Sequence, residues 1–323
     1  MRLTVFFLAA ALLVVAQSQK AYEYFHLGKV EAPRSQTAGG FLLAGGGKTP
    51  DDAYRWFIRK AGTGAAVTLR ASGADAMNQV FIDAGAASAS TVLFHERSAS
   101  SDAFVIEKLR GASAVFLAGG DQWKYVSYWK DTPVAATIND LIAKGVPVGG
   151  SSAGLAILGE FGFSAEKDTI TSKQALANPY DPAVTISTDF IRIPLLRGVI
   201  TDTHFVRRDR LGRTLVFLAR LFHDGKARPA SSIAVDEGNA VLLEPNGSAT
   251  VSGSGYAYFI RAAADPEICE AGKPLTFRGI AVYRLDRTGK FDVRSWRGDG
   301  GTAYTLNVEA GEVRSTQTGG GVY

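Results

Sequence analysis

Short, wholly apolar runs recur through the first half of the chain, and each stops at glycine or at a polar cluster. Phe41-Leu42-Leu43-Ala44 runs into Gly45-Gly46-Gly47. Ala66-Val67-Thr68-Leu69 and Thr91-Val92-Leu93-Phe94 follow. Ala114-Val115-Phe116-Leu117-Ala118 meets Gly119-Gly120, and Val146-Pro147-Val148 meets Gly149-Gly150. Runs this short, without polar alternation, read as strands buried on both faces, the habit of a parallel sheet covered by helices. Helical periods lie between them. Asp51 to Ala61 sets Ala53, Trp56 and Phe57 at helical spacing, and Pro133 to Lys144 sets Val134, Ile138, Leu141 and Ile142 on one face. Strands alternating with helices predict an α/β fold, a mostly parallel sheet flanked by helices.

Beyond about residue 228 the texture changes. Ser232–Val235, Ala240–Leu243, Ala249–Val251 and Ile280–Tyr283 are strand-like, with Asn246-Gly247 as a turn. This predicts a β-rich C-terminal completion, with residues 19–323 forming a single α/β domain; a separate small β domain is the alternative. No internal repeat is seen. Ser315 to Tyr323 is rich in Gly and Thr and is expected to fray.

The first 18 residues are expected to lie outside the fold. Arg2 supplies a positive start, Leu3 to Val15 is almost wholly apolar, and Ala16-Gln17-Ser18 offers small residues for cleavage after Ser18. This is the pattern of a secretory signal peptide. The rival reading, an uncleaved anchor, needs an apolar run of about 20 residues. The mature chain is thus expected in the periplasm or outside the cell, with no stable membrane insertion. Removing residues 1–18 lowers the formal charge from +4 to +3, which is not the footprint of a nucleic-acid binder.

Cys269 is the single cysteine, so an internal disulfide is excluded and the core must carry the stability. Its acidic neighbours Glu267 and Glu270 are expected to raise the thiol pKa, making it a bystander. The four histidines, His26, His95, His204 and His223, form no metal-ligand spacing, so neither a metal nor a cofactor is expected. A catalytic base has to come from among them.

Gly150-Ser151-Ser152-Ala153-Gly154 matches G-x-S-x-G, the turn that exposes a nucleophilic serine after a strand. Such a turn crowds the backbone, so small residues must flank the serine. A helix from Ala153 to about Gly159 is expected to aim its N–H groups at the reacting centre. Gly45-Gly46-Gly47-Lys48-Thr49 lacks the first glycine of a phosphate loop, because Leu42 stands there, and reads as a tight turn. Gly119-Gly120-Asp121-Gln122 is a second such turn, able to bring another N–H near the serine or to be a plain turn.

Further on, the strand-like Gly198-Val199-Ile200 leads into Asp202-Thr203-His204-Phe205 and then Arg207, Arg208, Arg210 and Arg213. His204, following a strand end, is the best-placed base. The arginines suit carboxylates, which guanidinium groups hold bidentately, or else form a solvated charged turn. A third group must orient the imidazole. Asp236, Glu237, Asp168 and Glu166 are candidates, and spacing alone does not choose.

From about Tyr22 to Leu243 these segments together resemble the cyanophycinase and aspartyl dipeptidase (dipeptidase E) family of serine peptidases. The most specific pieces are Gly149–Gly154, Gly119–Gln122, Asp202–Phe205 and Arg208–Arg213. The resemblance implies an α/β fold and a triad in the order Ser, His, Glu. Ser152 then matches the nucleophile, His204 the base and Glu237 the acid, with Asp168 as second choice. Gly120 and Ala153 would supply the oxyanion N–H groups. Gln122, Asp202, Arg208, Arg210 and Arg213 would hold a β-aspartyl-arginine unit of cyanophycin, the arginines on carboxylates and Asp202 on the substrate guanidinium. Thr203 stands where cyanophycinases often have Gln, and Ser151 where Thr is usual. The implied activity is a secreted serine exopeptidase that releases β-Asp-Arg from cyanophycin. A peptidase for short aspartyl or isoaspartyl peptides and a silent binding protein are the alternatives. The expected partner is a peptide or cyanophycin, not nucleic acid; oligomeric state is left open, a homodimer included.

Overall fold

A computed structural model describes residues 20–29 and 36–323. The expected signal segment lies outside the described residues. In chain order the first half contains β1 (Tyr22–Gly28), β2 (Phe41–Ala44), α1 (Asp51–Lys60), β3 (Ala65–Arg70), α2 (Ala76–Asp83), β4 (Ser88–Phe94), α3 (Ala103–Arg110), β5 (Ala114–Leu117), α4 (Gln122–Trp129), α5 (Pro133–Ala143), β6 (Val148–Ser151) and α6 (Ala153–Ala156). The second half contains β7 (Phe161–Phe163), α7 (Ser172–Ala177), β8 (Ile186–Thr188), β9 (Val199–Thr203), α8 (Leu211–His223), β10 (Ala230–Val235), β11 (Ala240–Leu243), β12 (Ser248–Ser252), β13 (Ala257–Ala262), β14 (Phe277–Leu285), β15 (Lys290–Asp292), β16 (Arg297–Asp299), β17 (Thr302–Glu309) and β18 (Glu312–Ser315).

Two mixed sheets result, a finding that refines the single mostly parallel sheet expected. The first has the order β1-β4-β3-β5-β6-β2-β11-β12-β15-β16. Its centre, β4 to β2, is parallel, as the unbroken apolar runs predict. Its flanks are antiparallel: β1 lies along β4, and β11 along β2. The second sheet has the order β18-β17-β14-β13-β10-β9-β7-β8, in which only β10, β9 and β7 run parallel. Part of the β-rich C-terminal stretch thus extends the first sheet, through the β11–β12 hairpin turning at Asn246-Gly247, and part builds the second.

Side-chain alternation assigns each face. Ala114 and Phe116 of β5 pack with Phe57 of α1 and Phe81 of α2, while Val115 and Leu117 face a larger core with Trp129 and Ile138. That larger core also takes Val199, Ile233, Val235 and Phe259 from the second sheet, so the two sheets share it. The other face of the second sheet, through Ile200, Ala234 and Ile260, packs on Leu215 and Phe217 of α8. Local signals hold the helix starts: Asp102 accepts from the Phe104 and Val105 N–H groups, and Asp121 from those of Trp123 and Lys124. Pro133 opens α5, where its missing N–H costs nothing.

Two expectations are corrected. The helix after Ser152 is a single turn, Ala153–Ala156, because Phe161 already enters β7. The C-terminal tail is docked, not frayed. The Tyr323 ring packs on Phe205 and Tyr258, its hydroxyl donates to Asp209 Oδ1 at 2.7 Å, and its backbone carbonyl accepts from Arg284 at 2.6 Å. Among the described residues no helix is long and apolar enough to cross a membrane.

Candidate active site

Four strand ends converge at the seam between the sheets. Ser152 follows β6 and Gly45-Gly46 follow β2, both in the first sheet; His204 follows β9 and Glu237 lies just beyond β10, both in the second. Backbone hydrogen bonds stitch the seam. Gly45 O accepts from His204 N at 2.8 Å and Gly46 O from Gly238 N at 2.9 Å, while within the first sheet Ala44 O accepts from Ser152 N at 3.1 Å. Ligand sites of open α/β sheets form at such carboxyl ends.

Ser152 occupies φ +53°, ψ −118°, a conformation that an L-residue holds only under constraint. The constraint is visible in its neighbours. A Cβ on Gly150 would lie 2.5 Å from the Gly154 carbonyl, and one on Gly154 would overlap Leu117 O. The small residues of the turn are therefore required by sterics.

Ser152 Oγ lies 2.7 Å from His204 Nε2, and His204 Nδ1 lies 2.5 Å from Glu237 Oε1. Both contacts are within hydrogen-bonding reach. Asp168 is exposed and accepts a hydrogen bond from the Thr169 N–H instead, so of the two acids Glu237 is the one that meets the imidazole. Asp236 holds the loop that follows His204, accepting from the Val206 and Arg207 N–H groups at 3.0 Å each. Glu166 is exposed.

Electrostatics match this order. Burial pushes the His204 pKa below its ordinary value, and Arg208 and Arg210 push it further, against the opposing pull of Glu237. The hydrogen bond from His204 lowers the Glu237 pKa, with Arg208 and Arg207 adding to it. A neutral imidazole beside an ionised carboxylate is the state in which a hydroxyl proton can be taken up.

The remaining expected residues divide. Arg208 is 53% exposed at the rim, in a loose ion pair with Glu237, Nε to Oε1 at 3.9 Å. Arg210 is mostly buried, donates to Thr203 O and Oγ1, and has its pKa lowered to about 10, chiefly by burial. Gln122 donates to Phe163 O at 2.5 Å. Asp202 and Arg213 are each 2% exposed and grip one another, with Nε–Oδ2 at 2.9 Å and Nη2–Oδ1 at 2.5 Å. Thr214 Oγ1 adds a bond to Asp202 Oδ2 at 2.8 Å. Burial alone would raise the Asp202 pKa, but Arg213 and Arg210 outweigh it and hold the carboxyl below its ordinary value. This pair has no face left for a substrate, unlike the ligand role expected for it. The signal was present: Arg213 shares a helix face with Val216 and Phe217, and a charge there needs an internal partner.

The sequence reading passed over Gly46 as part of a plain turn. It has φ +107°, and a Cβ on it would fall 2.6 Å from His204 Nε2. The Gly119 Cα is also close to the serine: a Cβ there would lie 3.4 Å from Ser152 Cβ. Cys269 is buried in the second core, and burial, with Asp224 and Asp265 adding to it rather than the expected Glu267 and Glu270, pushes its thiol up to about 12. No cluster that could hold a metal occurs among the described residues.

Comparison with known proteins shows what this chain is similar to. The model of peptidase family S51 matches residues 63–191, which include Ser152 but stop short of His204 and Glu237. The cyanophycinase of Trichormus variabilis is 27% identical over 219 residues, covering 66% of this chain and 68% of that protein. That of Thermosynechococcus vestitus is 26% identical over 179 residues, covering 55% and 51%. A crystal structure of a peptidase from an acI-B1 Actinobacterium shares the fold, with a TM-score of 0.55 at 14% identity, covering 80% of this chain and 98% of that one. The class is that of a serine-type peptidase hydrolase. Within it, the chain is similar to the S51 family and to the cyanophycinases.

Proposed function

We propose that the protein is an exported, cyanophycinase-like exopeptidase in which Ser152, His204 and Glu237 form the catalytic triad. The observation that carries this reading is the unbroken Ser152–His204–Glu237 relay at 2.7 and 2.5 Å. Ser152 Oγ attacks the scissile carbonyl carbon while its proton passes to His204 Nε2. Glu237 holds the Nδ1–H and stabilises the imidazolium. His204 then returns the proton to the leaving amine, and water, activated by the same imidazole, releases the acyl group. The Gly120 and Ala153 N–H groups take the developing oxyanion. Arg208, exposed at the rim, receives a substrate carboxylate. Export rests on the apolar segment ending at Ser18, and N-terminal sequencing of the mature protein tests it.

Release of β-Asp-Arg from cyanophycin by the wild type, with loss of release in Ser152→Ala, is the expected result. Equal release by both proteins would remove Ser152 from the mechanism. A second reading has its own support. Asp202, the group expected to meet a substrate guanidinium, is taken up by Arg213. That favours short aspartyl or isoaspartyl peptides, which need only a cation for the carboxylate. A panel of α-Asp and β-Asp dipeptides beside cyanophycin decides between the two.

A further inference from the structure

Tyr125 is fully buried on α4, its ring stacked on Trp129 with centroids 4.2 Å apart. Its hydroxyl lies 2.9 Å from Ala118 O and 3.0 Å from Gly119 O, so one proton is shared between two successive carbonyls. Those carbonyls belong to the turn after β5, whose next residue is Gly120. The fit is close: a Cβ on Gly120 would fall 2.7 Å from Tyr125 Oη. Ser152 bounds the same turn, since a Cβ on Gly119 would lie 3.4 Å from Ser152 Cβ and 4.0 Å from Oγ.

A planar trans peptide points its C=O and its N–H in opposite directions. A hydroxyl that captures Gly119 O therefore also dictates where the Gly120 N–H points. Without it the Gly119–Gly120 peptide can rotate, because glycine on both sides imposes no steric preference. We propose that Tyr125 is a positioning residue that presets the oxyanion hole, holding the Gly119 carbonyl inward so that the Gly120 N–H faces the centre attacked by Ser152. The inference rests on the reading of Ser152 as nucleophile. Burial raises the Tyr125 pKa, so the hydroxyl remains a donor throughout the working range of the enzyme. Rigidity here matters because an oxyanion donor contributes most when it needs no reorganisation as charge develops.

The test is the rate at which a fluorophosphonate labels Ser152. In that step the Oγ–P bond forms, the hydroxyl proton moves to His204, and the P–F bond breaks with loss of fluoride, while the phosphoryl oxygen occupies the oxyanion hole. Tyr125→Phe keeps the ring and loses only the hydroxyl. It is expected to slow labelling by roughly ten- to a hundredfold. The pH midpoint of labelling, set by His204, is expected to stay in place. Tyr125→Met removes the same hydroxyl in a different packing and provides a second folded variant. Leu109→Ala, a core substitution away from the site, controls for lost stability and is expected to label at the wild-type rate. Labelling of Tyr125→Phe at the wild-type rate, slowing no greater than in an equally destabilised Leu109→Ala, or a pH midpoint that moves with the rate would each overturn the proposal. If wild type and Ser152→Ala label alike, the nucleophile reading fails and takes the Tyr125 role with it. If wild type alone labels and Tyr125→Phe keeps pace, only the Tyr125 role fails.

Discussion

Gly46 faces the edge of the His204 imidazole with no room for a side chain: a Cβ there would overlap Cε1 and lie 2.6 Å from Nε2. We predict that Gly46→Ala displaces the ring from Ser152 and lowers kcat/KM by about a hundredfold, the scale of an ångström-sized misplacement. Circular dichroism checks that the fold survives. Wild-type turnover in this variant would mean that the imidazole has freedom the packing denies it.

The pH profile follows from the charges around His204. In its proposed role as base His204 works in its neutral form, and its pKa is depressed, first by burial and then by Arg208 and Arg210. Activity is therefore predicted to rise with pH through a midpoint below 6.5, the ordinary histidine value. Arg208→Gln removes a repelling charge and should move the midpoint up. Glu237→Gln removes a group that favours the imidazolium and should move it down, with a large loss of rate. Profiles of kcat/KM against pH for the three proteins check the signs. A midpoint that Arg208→Gln leaves fixed would show that this guanidinium is too well solvated to act on the ring.

Asp202 and Arg213 are predicted to act on stability. Removing one partner of a buried ion pair strands the other, at a cost of about 3–5 kcal/mol. Arg213→Met and Asp202→Asn should each lower the unfolding free energy by that order in denaturant titrations, while KM of the folded enzyme holds. Because the native Asp202 pKa is depressed, the pair's contribution is complete above the ordinary carboxylate range and fades as pH falls through it toward the lower native value. A raised KM with unchanged stability would return Asp202 to the substrate.

Cys269 is predicted to be silent. Burial holds its thiol near 12, so native protein should resist iodoacetamide at neutral pH and react once unfolded. Cys269→Ala should keep full activity. Inactivation of the native enzyme by thiol reagents would contradict both statements.

Some of this was legible in the residues and some was not, for physical reasons. The strand runs at Phe41–Ala44 and Ala114–Leu117 were readable because strands buried on both faces carry no polar break. The helices Asp51–Lys60 and Pro133–Ala143 were readable from their apolar spacing. The Ser152 turn was readable because its sterics demand glycine. Sheet partners were not, since local composition says nothing of which strand lies alongside; hence one sheet was expected where two form. The tail was misread for the same reason: Gly-rich composition signals weak local preference, but Tyr323 is held by Phe205, Tyr258 and Asp209, all distant in sequence. Arg213 was given a substrate role by the resemblance to cyanophycinases, whereas in this chain it is buried against Asp202.

The seam between the sheets has a consequence for how the enzyme can be switched off. Ser152 and His204 hang from separate sheets, joined at the site by backbone bonds from Gly45 and Gly46. A mild denaturant or a wedge-like ligand that parts the sheets by an ångström would silence the hydroxyl while every strand stays paired. On the proposed role of Ser152, its labelling rate would therefore report how closely the two sheets stay docked inside one chain.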